Sequence, residues 1–202
     1  DAYKQGLLGS CVMPEESAPV FFFFLQEARI AYFTLPMALN YQRDSYKLWQ
    51  ASVKTYDDLE THDVFTVSAV AALAFTELQR KLGKHRLALQ PNKHSNTWFK
   101  ISQTVFENWG SFSAMLSACN NDFLLLRELV QGKMKKGFPY LSGPKIFNYW
   151  SFILSTYAQV PLQNKQYIDI APDTHVIQCS VKLGVISAEE AESLPREKIS
   201  LR

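Results

Sequence analysis

The sequence lacks several features that mark metalloproteins, secreted proteins and membrane proteins. Its three cysteines, Cys11, Cys119 and Cys179, are widely separated and form no C-x-x-C pair. The chain alone therefore cannot build a zinc ribbon or an iron–sulfur cluster, and a reducing intracellular compartment is the simplest expectation. The apolar run at residues 20–25 is too short to span a bilayer. We expect no metal, no cofactor and no membrane association.

A strong net charge is also missing. Lys and Arg number 21 against 19 Asp and Glu, which leaves a formal net charge of +2. Any electrostatic attraction for nucleic acid must therefore be local. The charged fraction of 20% and hydrophobic fraction of 47% over 202 residues are those of a folded protein with one sizeable core, or with two small lobes.

Alternation with period two is nearly absent, apart from a short stretch at residues 167–170, and no Asn-Gly or Asp-Gly hairpin turn occurs. Apolar residues recur instead at steps of three and four, which predicts amphipathic helices. Ser187 and Glu190 have the spacing of a capping box at the start of a short helix. The prediction is an all-α fold with helices over residues 64–82, 95–109, 121–131, 144–157 and 176–183, with breaks at 87–94 and 159–172.

Residues 133–148 have the composition of a phosphate-binding turn. A basic segment containing Lys133, Lys135 and Lys136 runs into a short turn with Gly143, after which a new helix begins. The first amides of a helix have no intrahelical acceptor, and a small turn lets a phosphate approach them. The alternative interpretation is a solvated surface turn between two helices.

Asp173 follows Pro172 and precedes an amphipathic segment, which predicts a helix N-cap. Most aspartates in this position only cap the helix. The position alone therefore leaves open whether Asp173 has a chemical role.

Together the two segments resemble the signature of the helix-hairpin-helix DNA glycosylase superfamily, which includes endonuclease III and the 8-oxoguanine glycosylases. In that signature a leucine and a glycine-containing hairpin precede a lysine that opens a helix. A hydrophobic stretch, an aspartate and an amphipathic helix ending in Leu-Gly follow. The matching residues are Leu141, Gly143, Lys145, the segment 170–176 with Asp173, and Leu183-Gly184; residues 37–42 also resemble the early helix that lines the base cleft.

Departures from the signature favour the archaeal-type 8-oxoguanine branch. The hairpin P-Y-L-S-G-P-K is one residue longer than the usual P-G-x-G-x-K, and the interval from Lys145 to Asp173 exceeds that of endonuclease III. Tyr149 lies four positions after the lysine, where that branch has an aromatic residue that stacks on the extruded base. The cluster-forming cysteines of endonuclease III are absent.

The resemblance implies a base-excision-repair enzyme that flips a damaged base, expected to be 8-oxoguanine, out of double-stranded DNA. Lys145 would attack the sugar C1′ and form a Schiff base that permits strand cleavage. Its apolar neighbours Ile146 and Tyr149 are expected to desolvate the ammonium and favour the neutral amine. Asp173 would stabilise the positive charge that develops on the sugar.

The remaining site residues are assigned from helical spacing and from their position in the sequence. Tyr149 and Phe152 share a helix face with Lys145, apart from the packing stripe of Ile146, Trp150 and Ile153, and are expected to meet the base. Gln42 would bind a base edge or only cap a helix, whereas Trp49, Trp98 and Trp109 lie in apolar stripes and are predicted to be core. The expected DNA contacts are Leu141, Ser142, Gly143, Lys136 and His175.

The expected architecture is two-lobed, with the DNA and base cleft between the lobes. Residues 36–158 would form the central lobe, with the hairpin region at about 133–157, and residues 1–35 with 159–202 the second lobe, in a protein that acts as a monomer. One rival hypothesis is a non-catalytic helix-hairpin-helix DNA-binding module. The other is a helical protein-interaction domain that uses the four phenylalanines at 21–24.

Overall fold

The computed structural model describes residues 13–19, 26–41, 43–169 and 174–193, and within these ranges the chain is helical and forms no β-strand. A single isolated bridge pairs Asp122 with Gln163. The all-α prediction is confirmed. No helix in the described ranges is long and apolar enough to cross a membrane. The α-helices are α1 (Gln26–Thr34), α2 (Ser45–Asp57), α3 (Val67–Ala72), α4 (Phe75–Lys84), α5 (Pro91–Trp109), α6 (Phe112–Ala118), α7 (Phe123–Arg127), α8 (Pro144–Thr156), α9 (Thr174–Lys182) and α10 (Ala188–Ser193).

The predicted continuous helix over 64–82 is wrong. A 3₁₀ turn at His62–Phe65 comes first, and α3 and α4 are separated at Leu73 and Ala74, whose ψ angles of 142° and 140° are extended. Both short helices pack against α5. Because neither glycine nor proline lies at the break, the sequence carries no local signal for it.

The boundaries of α5 are set by local chemistry. The helix begins at Pro91, four residues before the predicted start, because proline fits the first turn, where its missing N–H is not needed. It ends as predicted at Gly110, whose φ of +77° is left-handed and whose amide bonds to the carbonyls of Val105 and Phe106. The predicted break at 87–94 is therefore shorter than expected.

The predicted helix at 121–131 is α7 followed by a π-helical segment, Glu128–Lys133. The Asp122 carboxylate caps α7 by accepting the amides of Leu124 at 2.8 Å and Leu125 at 3.1 Å. At the chain's C-terminal side, the predicted capping box is confirmed, since Ser187 and Glu190 exchange side-chain-to-amide bonds of 3.0 and 2.9 Å.

One cluster of buried apolar side chains extends from Ile30 in α1 to Leu162. Trp49 and Trp98 are buried as predicted, and Trp109 is partly buried against the cluster. α1 packs against α6 and α8. The indole of Trp150 donates to the Thr34 hydroxyl at 3.0 Å, so α8 is tied to α1 by a buried hydrogen bond.

The hairpin before α8 approaches α5 closely through Gly137. A Cβ at this position would lie 2.6 Å from Cγ2 of the buried Thr104. We expect Gly137→Ala to destabilise the protein by about 1–3 kcal/mol, because the buried Thr104 side chain and the segment that carries Gly137 must move apart. Denaturant unfolding measures the difference.

Gly83→Ala is the matched control, since nothing lies within 4 Å of a Cβ at Gly83 in α4. There the alanine is expected to be neutral or to stabilise by up to about 1 kcal/mol. Equal unfolding midpoints for the two variants would show that the approach of Gly137 to Thr104 does not constrain the hairpin.

Candidate functional site

A cavity of about 970 Å³ lies along one face of α8. Its walls come from Asn40, Arg43 and Ser45, from α8 itself and from the segment at 165–169. The volume is at the upper end of the range for small-molecule sites. Arg43, Lys145 and Lys165 bring positive charge to the lining, and Asp169 brings a carboxylate. Among the described residues no group of three His, Cys, Asp or Glu side chains is arranged to hold a metal ion.

The two faces of α8 divide nearly as its sequence predicts. Lys145, Tyr149 and Phe152 recur at steps of four and three and line the cavity, whereas Trp150 and Ile153 are fully buried on the opposite side. Ile146 differs from the prediction, since it is half-buried and lines the cavity as well. The face therefore combines an amine with two aromatic rings.

The Lys145 side chain lies in the first turn of α8 and is exposed. Ile146 and Tyr149 therefore do not enclose the side chain, contrary to the expectation. No carboxylate or other hydrogen-bonding partner engages the amine among the residues that the structure describes. The amine is available to a ligand in the cavity.

The amides of the hairpin are engaged within the hairpin. The N–H groups of Leu141, Ser142 and Gly143 donate to the carbonyls of Pro139, Phe138 and Tyr140 at 2.8, 3.0 and 3.0 Å. Leu141 is also fully buried, so its assignment as a DNA contact is corrected to an anchor of the hairpin in the core.

Free backbone donors lie one step further along the chain. Phe147 is the first residue of α8 whose amide reaches a helical acceptor, the Gly143 carbonyl at 2.8 Å. The preceding amides of Lys145 and Ile146 have no acceptor within the helix, and Pro144 has no N–H. The positive end of α8 therefore presents two amides beside the Lys145 side chain.

Tyr149 is held in place by a carboxylate from far away in the sequence. Its hydroxyl donates to Glu15 Oε1 at 2.5 Å, and the indole of Trp49 donates to the same oxygen at 3.0 Å. Glu15 is only 1% exposed. Burial, followed by the hydrogen bond to Glu15, raises the pKa of Tyr149 well above its usual range, so the phenol stays protonated as a donor. The ring is thus fixed in the cavity wall.

Sequence reasoning did not find Glu15. The residue lies 134 positions before Tyr149, and nothing in the local pattern of Pro14–Ser17 distinguishes its carboxylate from that of Glu16. Phe152 completes the aromatic part of the wall, with its ring nearly parallel to that of Tyr149 at 8° and 6.5 Å between centroids. Phe152 is 43% exposed, so it offers open ring surface to a ligand.

The far wall of the cavity is attached to α8 by Asn148. The Asn148 side chain accepts the amide of Asp169 at 3.1 Å and donates to the Pro144 carbonyl at 3.0 Å. Asn148 is buried, and its bond to the Asp169 amide holds that residue at the cavity. Neither residue was a predicted site residue, because the contact joins segments 21 positions apart.

Lys136 lies on a second surface cavity of about 650 Å³, which also includes Lys100, Lys133 and Lys135. Lys133 pairs with Glu128 at 2.9 Å in an exposed contact of small energetic value. The structure therefore places Lys136 among other lysines and outside the lining of the cavity that holds Lys145.

Three predicted site residues fall outside what the structure describes. Gln42 and Asp173 lie outside the described residues, and His175 belongs to α9 but its side chain is not described. Comparison of the chain with protein-family models, with curated proteins and with solved structures finds no match.

Proposed function

We propose that this protein is a base-excision-repair DNA glycosylase with AP lyase activity, of the helix-hairpin-helix superfamily and its archaeal-type 8-oxoguanine branch. One observation carries the proposal. The resemblance assigns Lys145 as nucleophile and Tyr149 as the base-stacking residue, helical spacing adds Phe152, and all three line the same cavity on one face of α8. The rigid Tyr149 ring and the unpaired Lys145 amine are what stacking of an extruded base and attack on its sugar require.

In the proposed reaction, double-stranded DNA places a flipped 8-oxoguanine nucleotide in the cavity, where its base stacks on Tyr149 and Phe152. Lys145 Nζ, once deprotonated, attacks C1′; the N–C1′ bond forms as the glycosidic bond breaks and the base leaves after taking a proton. The amine nitrogen then loses a proton and the sugar ring opens: the C1′–O4′ bond breaks, O4′ takes a proton and a protonated Schiff base forms. Loss of a proton from C2′ of this Schiff base breaks the C3′–O bond, and the 3′ phosphate leaves.

The lysine needs a neutral amine, and the exposed position of Lys145 implies that bound DNA itself excludes the water that favours the ammonium. Asp173, directly before α9 in the sequence, is the proposed stabiliser of the positive charge on the sugar. Asp169, whose position the structure describes, lies in the same cavity wall and is the alternative residue to stabilise that positive charge.

The phosphate contacts are proposed at the start of α8 rather than within the hairpin turn. The amides of Lys145 and Ile146 are free for a phosphate oxygen, whereas those of residues 141–143 are engaged. Lys136 and its neighbours around the second cavity would add sequence-independent attraction for the DNA backbone. The two-lobed arrangement, with residues 36–158 opposite 1–35 and 159–202, and action as an intracellular monomer belong to the same proposal.

Borohydride trapping tests the proposal directly. The unmodified protein is incubated with duplexes containing 8-oxoguanine, thymine glycol, uracil, 3-methyladenine or an abasic site, with and without borohydride. We expect a covalent protein–DNA adduct with the abasic and 8-oxoguanine duplexes, because reduction fixes the Schiff base. Salt-dependent DNA binding without any adduct would indicate the non-catalytic DNA-binding module instead, and absence of DNA binding would refute both.

A further inference from the structure

An aromatic cluster with a cation lies on the surface beside the cavity, outside its lining. The rings of Tyr41 and Tyr140 lie 5.6 Å apart between centroids, at 34° to each other. Lys93 Nζ lies 5.8 Å from the Tyr41 centroid and 5.1 Å from that of Tyr140. Tyr41 is 49% exposed, so a large aromatic surface faces solvent next to a positive charge.

Chain connectivity places this cluster at the edge of the cavity. Tyr41 directly follows Asn40, which lines the cavity, and neighbouring Cα atoms are about 3.8 Å apart. On the other side, the Tyr140 carbonyl accepts the amide of Gly143, the residue that precedes α8. The cluster therefore joins the segment at 40–45 to the turn that presents Lys145.

Arg43 links the cavity to the cluster electrostatically. It lines the cavity and donates to the Leu87 carbonyl at 2.8 Å, close to the start of α5, where Lys93 lies. Burial, followed by the positive charges of Arg43 and Lys93, lowers the pKa of His94. Arg43 and Lys93 thus bring positive charge from two segments to one neighbourhood, which suits a polyanion.

The backbone at Tyr140 is unusual in a way that favours a functional role. Its φ of +61° is left-handed, a conformation that costs free energy in a residue with a side chain. Glycine or asparagine would relieve that cost. The tyrosine instead projects a ring from the hairpin toward Tyr41.

We propose that Tyr41, Tyr140 and Lys93 form a stacking platform for an unpaired nucleobase that neighbours the nucleotide held in the cavity. Beside a flipped nucleotide a paired base is still held in the duplex stack by its partner strand, whereas an unpaired base can leave the stack and present a face to a surface ring. Aromatic rings can stack on any of the bases, and an adjacent cation can bind the phosphate of the same nucleotide. The inference rests on the proposed function, because it requires nucleic acid in the cavity.

The test uses a duplex containing a tetrahydrofuran residue, a stable abasic analogue without a base to fill the cavity. The neighbouring nucleotide is 2-aminopurine, placed either in a gap, where it is unpaired, or opposite thymine. We expect the unmodified protein to bind the gapped duplex more tightly and to quench its 2-aminopurine fluorescence. Tyr41→Ala should weaken binding to the gapped duplex about 5- to 100-fold, the range for loss of one stacked base, and leave the paired duplex nearly unchanged.

Two matched variants separate stacking from other effects. Tyr41→Phe keeps the ring and should retain affinity and quenching, whereas Phe106→Ala removes a ring of similar exposure elsewhere, on α5, and should change neither. Thermal unfolding of each variant controls for folding. The platform would be overturned if Tyr41→Ala lost the same affinity for both duplexes, or if Tyr41→Phe lost as much affinity as Tyr41→Ala. It would also be overturned if the unmodified protein showed no preference for the gapped duplex.

These outcomes remain distinguishable from failure of the enzyme proposal. Gapped-duplex binding that depends on the Tyr41 ring, without any borohydride adduct on abasic DNA, would leave the platform standing and refute the glycosylase and lyase activity. If the protein forms the adduct and the Tyr41→Ala variant binds the gapped duplex as tightly as the unmodified protein, the enzyme proposal stands and the platform is refuted.

Discussion

Lys145→Gln is expected to lower the yield of borohydride-trapped adduct and the rate of abasic-strand cleavage about a thousandfold or more, since the glutamine amide nitrogen is not a nucleophile. The side chain is exposed in the first turn of α8 and has no partner among the described residues, so the substitution should leave folding and the stacking rings intact. DNA binding should therefore survive. Single-turnover cleavage and trapping on an abasic duplex measure the effect.

Lys165→Gln is the matched control. Lys165 is also exposed and lines the same cavity. Its substitution by glutamine therefore removes an equal charge from the cavity lining and leaves the proposed nucleophile in place. We expect its adduct yield to stay close to that of the unmodified protein. If Lys165→Gln abolishes trapping and Lys145→Gln does not, the assignment of the nucleophile is wrong.

Asp173→Asn is expected to slow base excision about a hundredfold or more, which is the usual scale for losing a charge that stabilises the transition state. This expectation rests on the sequence position of Asp173 directly before α9, which begins at Thr174, and on the resemblance. Asparagine caps helices about as well as aspartate, so folding should be nearly unchanged. Single-turnover release of 8-oxoguanine measures the excision step.

Asp169→Asn provides the comparison, because Asp169 is the carboxylate that the structure does show in the cavity wall. Its position is fixed through its backbone amide by Asn148, so the substitution leaves that link intact. A large loss in Asp169→Asn with an unaffected Asp173→Asn would reassign the charge-stabilising role to Asp169. An unchanged rate in both variants would remove the carboxylate from the mechanism.

The helical character and the division of α8 into two faces could be predicted because both depend on spacing along the chain. Residues three and four apart share a face of any helix, so Lys145, Tyr149 and Phe152 come together whatever surrounds them. The start of α8 at Pro144 and the capping box at Ser187 are similarly local.

The engagement of the hairpin amides was not predictable in the same way. Whether the N–H groups of residues 141–143 face outward or close the turn depends on backbone angles, including the left-handed φ of Tyr140, which residue types alone do not specify. The exposure of Lys145 has the same origin, since two apolar neighbours in the sequence do not by themselves enclose a side chain. The first correction moves the proposed phosphate contact to the start of α8, and the second leaves desolvation of the amine to the DNA in the proposed complex.

Local spacing was thus enough to establish an all-α chain and a helix face that carries an amine and two aromatic rings, since helix periodicity acts over a few residues. Only the folded chain decided what that face meets: the buried Glu15 that holds Tyr149, the wall at Asp169, and the pairing of Tyr41 with Tyr140. Each of these contacts joins residues that are distant in the sequence. They arise when the helices pack around a common core, and no pattern within a single segment encodes them.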